Sequence, residues 1–152
     1  YGQCKALADK YAEEECCILP QWLPPTAWYF GGSVDLDLFN CTEDVNYLKD
    51  IELNICLDIC HFLMCLAAKR VEDSDWDNLL GLTRHMHIAD AIGIDGEGIQ
   101  IGKGEERNLQ YIKHALLENS CMKVLEVWQG HLEDYSGFHQ AIKSTIDVFE
   151  NK

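Results

Sequence analysis

Apolar positions change their spacing along the chain, and each change marks an element. From Cys4 to Glu15 they recur at Ala6, Leu7, Tyr11 and Ala12, the period of one helix face, so a helix is expected there. Cys16 to Trp22 is a short apolar run that reads as a strand. Pro20, Pro24 and Pro25 interrupt regular structure and open an expected loop from Leu23 to Asn40. That loop carries Trp28, Tyr29 and Phe30, which fit either a wall over a pocket or a plug that covers the core. Thr42 is a good N-cap, with Glu43 and Asp44 in the first turn, so a helix is predicted to Asp50. Leu53 to Leu57 is almost continuously apolar, as buried parallel strands are.

Phe62 to Lys69 fits a short helix or a loop, and Asp73 to Leu82 a helix capped by Asp73 or Ser74. His85 to Ala89 reads as the third strand. Asp90 to Glu106, with Gly93, Gly96, Gly98, Gly102 and Gly104, reads as a glycine-rich loop. Leu109, Ile112 and Leu116 share one face of a helix over Asn108–Asn119. Met122 to Val127 is the fourth strand, and Phe138 to Phe149 the closing helix. A helix followed by four strand–helix pairs predicts a parallel sheet with right-handed crossovers.

Length places this pattern. A chain of 152 residues can bury one core and is expected to form a single domain, 1–152. It is short for a whole (β/α)8 barrel, which needs about 250 residues. The start at Tyr1 rather than Met reads as cut or processed. No charged leader with an apolar stretch follows, and no apolar run approaches the roughly 20 residues that span a bilayer. A soluble, cytoplasmic protein is expected.

Charge narrows the partners. With 26 acidic and 12 basic residues the formal charge is −14, and the Lys and Arg are scattered. Nucleic acid and anionic membranes, which need a cationic face, are disfavoured. The eight Cys lie partly inside apolar runs, as in 16–19 and 55–61, and read as small buried hydrophobes of a reducing cell. No CxxC pair supports a structural zinc ribbon.

Candidate chemistry sits at the strand ends, where parallel α/β proteins collect their active residues. Strand two ends in Asp58 and His61. Strand three carries His85, His87 and Asp90. Strand four carries Glu126, then Gln129 and His131. Each alone is a weak signal, and of His85 and His87, which share a strand face, one can be mere packing. Together, carboxylates and imidazoles from successive strands make a divalent metal site of mixed O and N donors, suited to Mn²⁺, Mg²⁺, Zn²⁺ or Co²⁺.

These residues also carry a resemblance. Leu-Asp-Ile-Cys-His (57–61), His-Met-His-Ile-Ala-Asp-Ala (85–91), the glycine-rich 93–104 and Glu-Val-Trp-Gln-Gly-His (126–131) resemble motifs of the xylose isomerase-like superfamily. The resemblance implies the C-terminal half of a TIM (β/α)8 barrel, strands five to eight, with the first four absent. It implies Asp58, His87 and Glu126 as metal ligands and His61 as a substrate or second-metal contact. Glu126 and His61 would be catalytic, and Gln21, Asp90, Asp95, Gln129 and His131 would surround the substrate. The fifth-strand Glu of the family falls near Pro20 or Gln21, neither of which is an acid.

Three functions follow as expectations. The first is a metal-dependent sugar or sugar-phosphate isomerase or epimerase, complete or a fragment. The second is a non-catalytic half-barrel that self-associates. The third, an endonuclease IV-like enzyme acting on abasic DNA, is opposed by the charge. A half-barrel would leave two open strand edges, and pairing of two copies would complete it, so a homodimer is expected. Size-exclusion chromatography with light scattering should give twice the chain mass; a stable monomer of 17.3 kDa refutes this expectation.

Overall fold

The computed structural model of the chain describes residues 1–12, 17–29, 31–118 and 120–150. The elements are α1 (Gly2–Tyr11), β1 (Thr26–Tyr29), β2 (Gly32–Asp35), α2 (Thr42–Asp50), β3 (Ile55–Asp58) and α3 (Ile59–Ala67). A single 3₁₀ turn (Asp73–Asp75) precedes α4 (Trp76–Leu82). Then come β4 (Thr83–Ile88), β5 (Asp90–Ile92), β6 (Gly96–Ile99), α5 (Asn108–Glu118), β7 (Met122–Leu125) and α6 (Leu132–Glu150).

The strands form three small separate sheets. One is parallel, in the order β3-β4-β7; the others are the antiparallel pairs β1-β2 and β5-β6. This corrects the expected half of a TIM barrel: the described residues contain no barrel and no set of four β/α units. The first expected strand, whose Cys16 lies outside the described residues, contributes only an isolated parallel bridge between Gln21 and Cys56. Its two hydrogen bonds run from Cys56 N to Pro20 O (2.9 Å) and from Trp22 N to Cys56 O (2.9 Å). Pro20 has no N–H to extend the ladder, and Pro24 and Pro25 follow closely. With the half-barrel goes the expectation that a second copy would complete it.

Both segments expected as loops instead contain hairpins. Residues 23–40 hold β1 and β2, where Gly31 adopts φ +92° at the turn. Residues 90–106 hold β5 and β6, joined through Gly93 at φ +60°. Backbone of this kind costs glycine little and other residues more, which is why the turns fall on glycine. Strands of three or four residues are too short to show a period, so composition alone read them as loop.

The helices follow their local signals closely. α2 has the expected bounds, but its N-cap is Cys41, and Asp44 accepts hydrogen bonds from Asn40 N (2.7 Å) and Cys41 N (3.1 Å). α3 resolves the ambiguous stretch as a helix and begins earlier, at Ile59, because Asp58 caps it through His61 N (3.2 Å). In α6, Glu133, Asp134 and Tyr135 have positive φ, so its regular part begins after them, in line with the expected start at Phe138. The predicted ends of the first helix at Glu15 and of α5 at Asn119 fall on residues outside those described.

The two faces of the parallel sheet differ in chemistry. Ile55, Leu57, Met86 and Ile88 point to one face and are fully buried against the helices. Cys56, Asp58, His85 and His87 alternate with them and share the other face with Met122 and Val124. The helix-side core centres on Phe62, whose ring lies 5.0 Å from that of Trp76 and 5.4 Å from that of Tyr111. No helix among the described residues is long and apolar enough to cross a membrane.

Truncating Phe62 removes the centre of this aromatic cluster and leaves a cavity. Phe62→Ala is expected to cost about 3–5 kcal/mol, measured by urea unfolding; a loss below about 1 kcal/mol would mean the cluster can collapse around the gap.

Candidate metal centre

Asp58 is the last residue of β3 and the cap of α3, so its carboxylate sits where the sheet turns into helix. It is 4% exposed. Oδ1 accepts from His61 N, and Oδ2 from the Gln21 amide at 3.0 Å. Oδ2 also faces His61 Nδ1 at 3.5 Å and His87 Nδ1 at 3.6 Å. A buried carboxylate needs this density of donors, because desolvation without them is costly.

Register delivers the second residue. Asp58 pairs with His87 across β3 and β4, and His87 with Val124 across β4 and β7. Glu126 follows β7, its N–H bonded to Ile88 O at 3.0 Å, and its Oε2 lies 2.6 Å from His87 Nδ1. One ligand atom each from Asp58, His87 and Glu126 thus lies within 4.8 Å of the other two. The Asp58 carboxylate, then the Cys56 side chain, and after the opposing effect of burial the charges of Cys56 and Glu126, push the His87 pKa up to about 10. The same convergence of two carboxylates on one imidazole is a place that a divalent cation fits.

His61 is held differently. Its Nδ1 lies 2.9 Å from Trp22 O and its Nε2 3.0 Å from Glu97 Oε1. Both partners are acceptors, so only the doubly protonated imidazolium satisfies them. Burial disfavours that charge, but the Glu97 hydrogen bond, the Asp58 carboxylate and the Trp22 carbonyl outweigh it and raise the pKa. Both nitrogens being engaged, His61 sits beside the centre with no nitrogen free for a cation.

Glu97 was assigned no role from the sequence. Its signal was there: a carboxylate between two glycines, Gly96-Glu97-Gly98, two residues after Asp95. Gly98 explains the spacing. Its φ is +68°, its N–H reaches Cys60 Sγ at 3.1 Å, and its carbonyl accepts from Trp128 N at 2.6 Å. A Cβ there would stand 3.1 Å from Trp128 Cβ. The β5-β6 hairpin therefore lies directly against the turn after β7 and aims Glu97 at the same cleft as Glu126.

That cleft, about 220 Å³, is lined by Asp58, Cys60, Glu97, Gly98 and Glu126–Gln129. A wider hollow of about 510 Å³ beside it is lined by Pro24, Ala27, Trp28, His61, Asp95, Gly96, Glu97 and Trp128. Trp28 and Trp128 are 64% and 70% exposed, so two indoles flank the opening. Gln21, Asp95 and Gln129 are thus near the centre, whereas the exposed His131 does not line either hollow. His85 packs edge-on against His87, with ring centroids 5.2 Å apart.

Asp90 has another task. It is fully buried, and its oxygens accept from Ala91 N (2.8 Å), Asn108 Nδ2 (2.8 Å), Gly102 N (2.9 Å) and Gly104 N (3.0 Å). It ties the glycine-rich segment to the start of α5 and has no face left for a substrate. No protein-family model matches the chain, and no curated protein matches it.

Asp90→Ala would strand several buried donors at once. A loss of about 3 kcal/mol or more is expected in urea unfolding. A loss under about 1 kcal/mol would show that the segment is organised by other contacts.

Proposed function

We propose that the chain binds a divalent cation through Asp58, His87 and Glu126 and acts as a metal-dependent isomerase or epimerase of a sugar or sugar phosphate. The observation that carries this reading is the convergence of those three ligand atoms within 4.8 Å at a cleft flanked by two exposed indoles. Two carboxylates and one imidazole suit Mn²⁺, Mg²⁺, Zn²⁺ or Co²⁺. The exposed side of Glu126 leaves the centre accessible from the cleft. Indole faces offer apolar surface to the C–H face of a sugar ring while the carboxylates address its hydroxyls.

A bound cation supplies Lewis-acid polarisation of a sugar carbonyl and its neighbouring hydroxyl. The chain's own groups then handle the proton. Glu97 lies across the cleft from Glu126 and is free of the ligand triad. It takes the proton from the carbon next to the carbonyl and returns it to the adjacent carbon on the same face; in an epimerisation the proton for the opposite face would come from a second acid across the cleft, on the side of Glu126. The His61 imidazolium orients Glu97 through their 3.0 Å contact. Gln21 holds Asp58, and Asp95 and Gln129 meet the substrate at the rim. Glu97 thereby fills the role of the acid absent near Gln21. The net charge of −14 favours a small substrate over a polyanion such as DNA.

Titration of the chelator-stripped protein with Mn²⁺, followed by electron paramagnetic resonance, should find one bound ion, lost in Asp58→Ala combined with Glu126→Gln. Unchanged metal in that variant overturns the ligand set. A panel of ketoses and sugar phosphates in D₂O should show exchange at the α-carbon, slowed about 10²–10⁴-fold in Glu97→Gln with metal retained. Metal binding without exchange on any sugar removes the isomerase reading.

A further inference from the structure

The sheet face that carries Asp58 and His87 holds a second set of donors one step back along the strands. Cys56 pairs with His85 across β3 and β4, as Asp58 pairs with His87. Cys56, His85 and His87 each place one ligand atom within 4.8 Å of the others. Cys56 is 6% exposed, both histidines are half-buried, and all three line a hollow of about 500 Å³ on this face. The exposed thiol of Cys17 and Arg84 also line that hollow; Arg84 Nη1 donates to Gly81 O (3.1 Å) and Thr83 O (3.0 Å), which engages the guanidinium with backbone.

We propose that Cys56, His85 and His87 form a separate, softer metal site, selective for Zn²⁺ over Mn²⁺ or Mg²⁺, that competes with the oxygen-rich centre for His87. A thiolate and two imidazoles are a zinc donor set, with the fourth position open to the hollow. Hard cations gain little from thiolate. Competition follows from the chemistry of the shared ring. A neutral imidazole offers one lone pair and keeps a proton on its other nitrogen, so His87 serves one ion at a time. Zinc on Cys56 therefore withdraws the only nitrogen ligand from Asp58 and Glu126 and silences that centre. The soft site stands on its own donor set; only the competition rests on the function proposed above.

Cobalt is the probe, because a Co²⁺–thiolate bond gives a near-ultraviolet charge-transfer band. The full chain, stripped with chelator, is titrated with Co²⁺ and then Zn²⁺. The band is expected at one equivalent or less, to be displaced by Zn²⁺, to vanish in Cys56→Ser and to survive in Cys17→Ser and Glu126→Gln. His85→Gln should weaken Co²⁺ binding at least about tenfold. Near-ultraviolet circular dichroism checks that each variant is folded. Zn²⁺ should also shield Cys56 of the unaltered chain from alkylation, read by mass spectrometry, which needs no variant. A band that persists in folded Cys56→Ser, or Cys56 alkylated equally with and without Zn²⁺, overturns the soft site. For the competition, Zn²⁺ should release bound Mn²⁺, followed by electron paramagnetic resonance, at least about tenfold more readily from the unaltered chain than from Cys56→Ser. Equal release overturns competition alone. Absence of any Mn²⁺ binding counts against the oxygen-rich centre and leaves the thiolate band to decide the soft one.

Discussion

The carboxylate of Asp58 is the constraint around which the rest is arranged. It is nearly excluded from water at the junction of β3 and α3. An ionised group there needs compensation from donors and positive charge. Three groups supply it: the Gln21 amide and the His87 ring from distant parts of the chain, and the neighbouring His61 through its backbone N–H and its imidazolium. Each of these is tied elsewhere too, Gln21 by its bridge to Cys56, His61 by Trp22 and Glu97, and His87 by Glu126. One buried charge thus couples the segment after α1, the central sheet, the β5-β6 hairpin and the end of β7.

The sheet contributes its asymmetry. Its helix-side face is a dry aliphatic surface, and the other carries thiol, carboxylate and imidazole in alternate positions of two neighbouring strands. Parallel register keeps these side chains level, so donors on β3 and β4 form two rows: Cys56 with His85, and Asp58 with His87. The first row is sulfur and nitrogen, the second oxygen and nitrogen once Glu126 is added. The hairpins then build the approach. Asp90 gathers the glycine-rich segment through four hydrogen bonds, and Gly98 lets it lie against Trp128, which together present Glu97 to the cleft.

Much of this was legible in the chain. α2 runs to Asp50 as expected, although Cys41 rather than Thr42 is its N-cap, and α5 and β7 start where their apolar patterns start. Strand-end position put Asp58, His87 and Glu126 among the candidates, together with His61, His85, Asp90, Gln129 and His131; the motif resemblance, not position, implied those three as the ligand set. The misreadings share a cause. The two hairpins are built of strands too short to show alternation, with glycines that a local reading assigns to loop. The barrel reading assumed that an apolar run before Trp22 would pair along its length, but the prolines leave it a single bridge.

By itself the sequence determined what depends on neighbours along the chain: helix caps and faces, the apolar runs that become buried strands, and the residue types at their ends. Tertiary structure alone decided what depends on register and on contacts across long separations. His61 and Glu97 are 36 residues apart, and their pairing arises only because Gly98 docks on the turn after β7. Cys56 is an apolar-looking residue in sequence and a neighbour of two imidazoles in space, because strand pairing, which no local pattern encodes, sets His85 beside it.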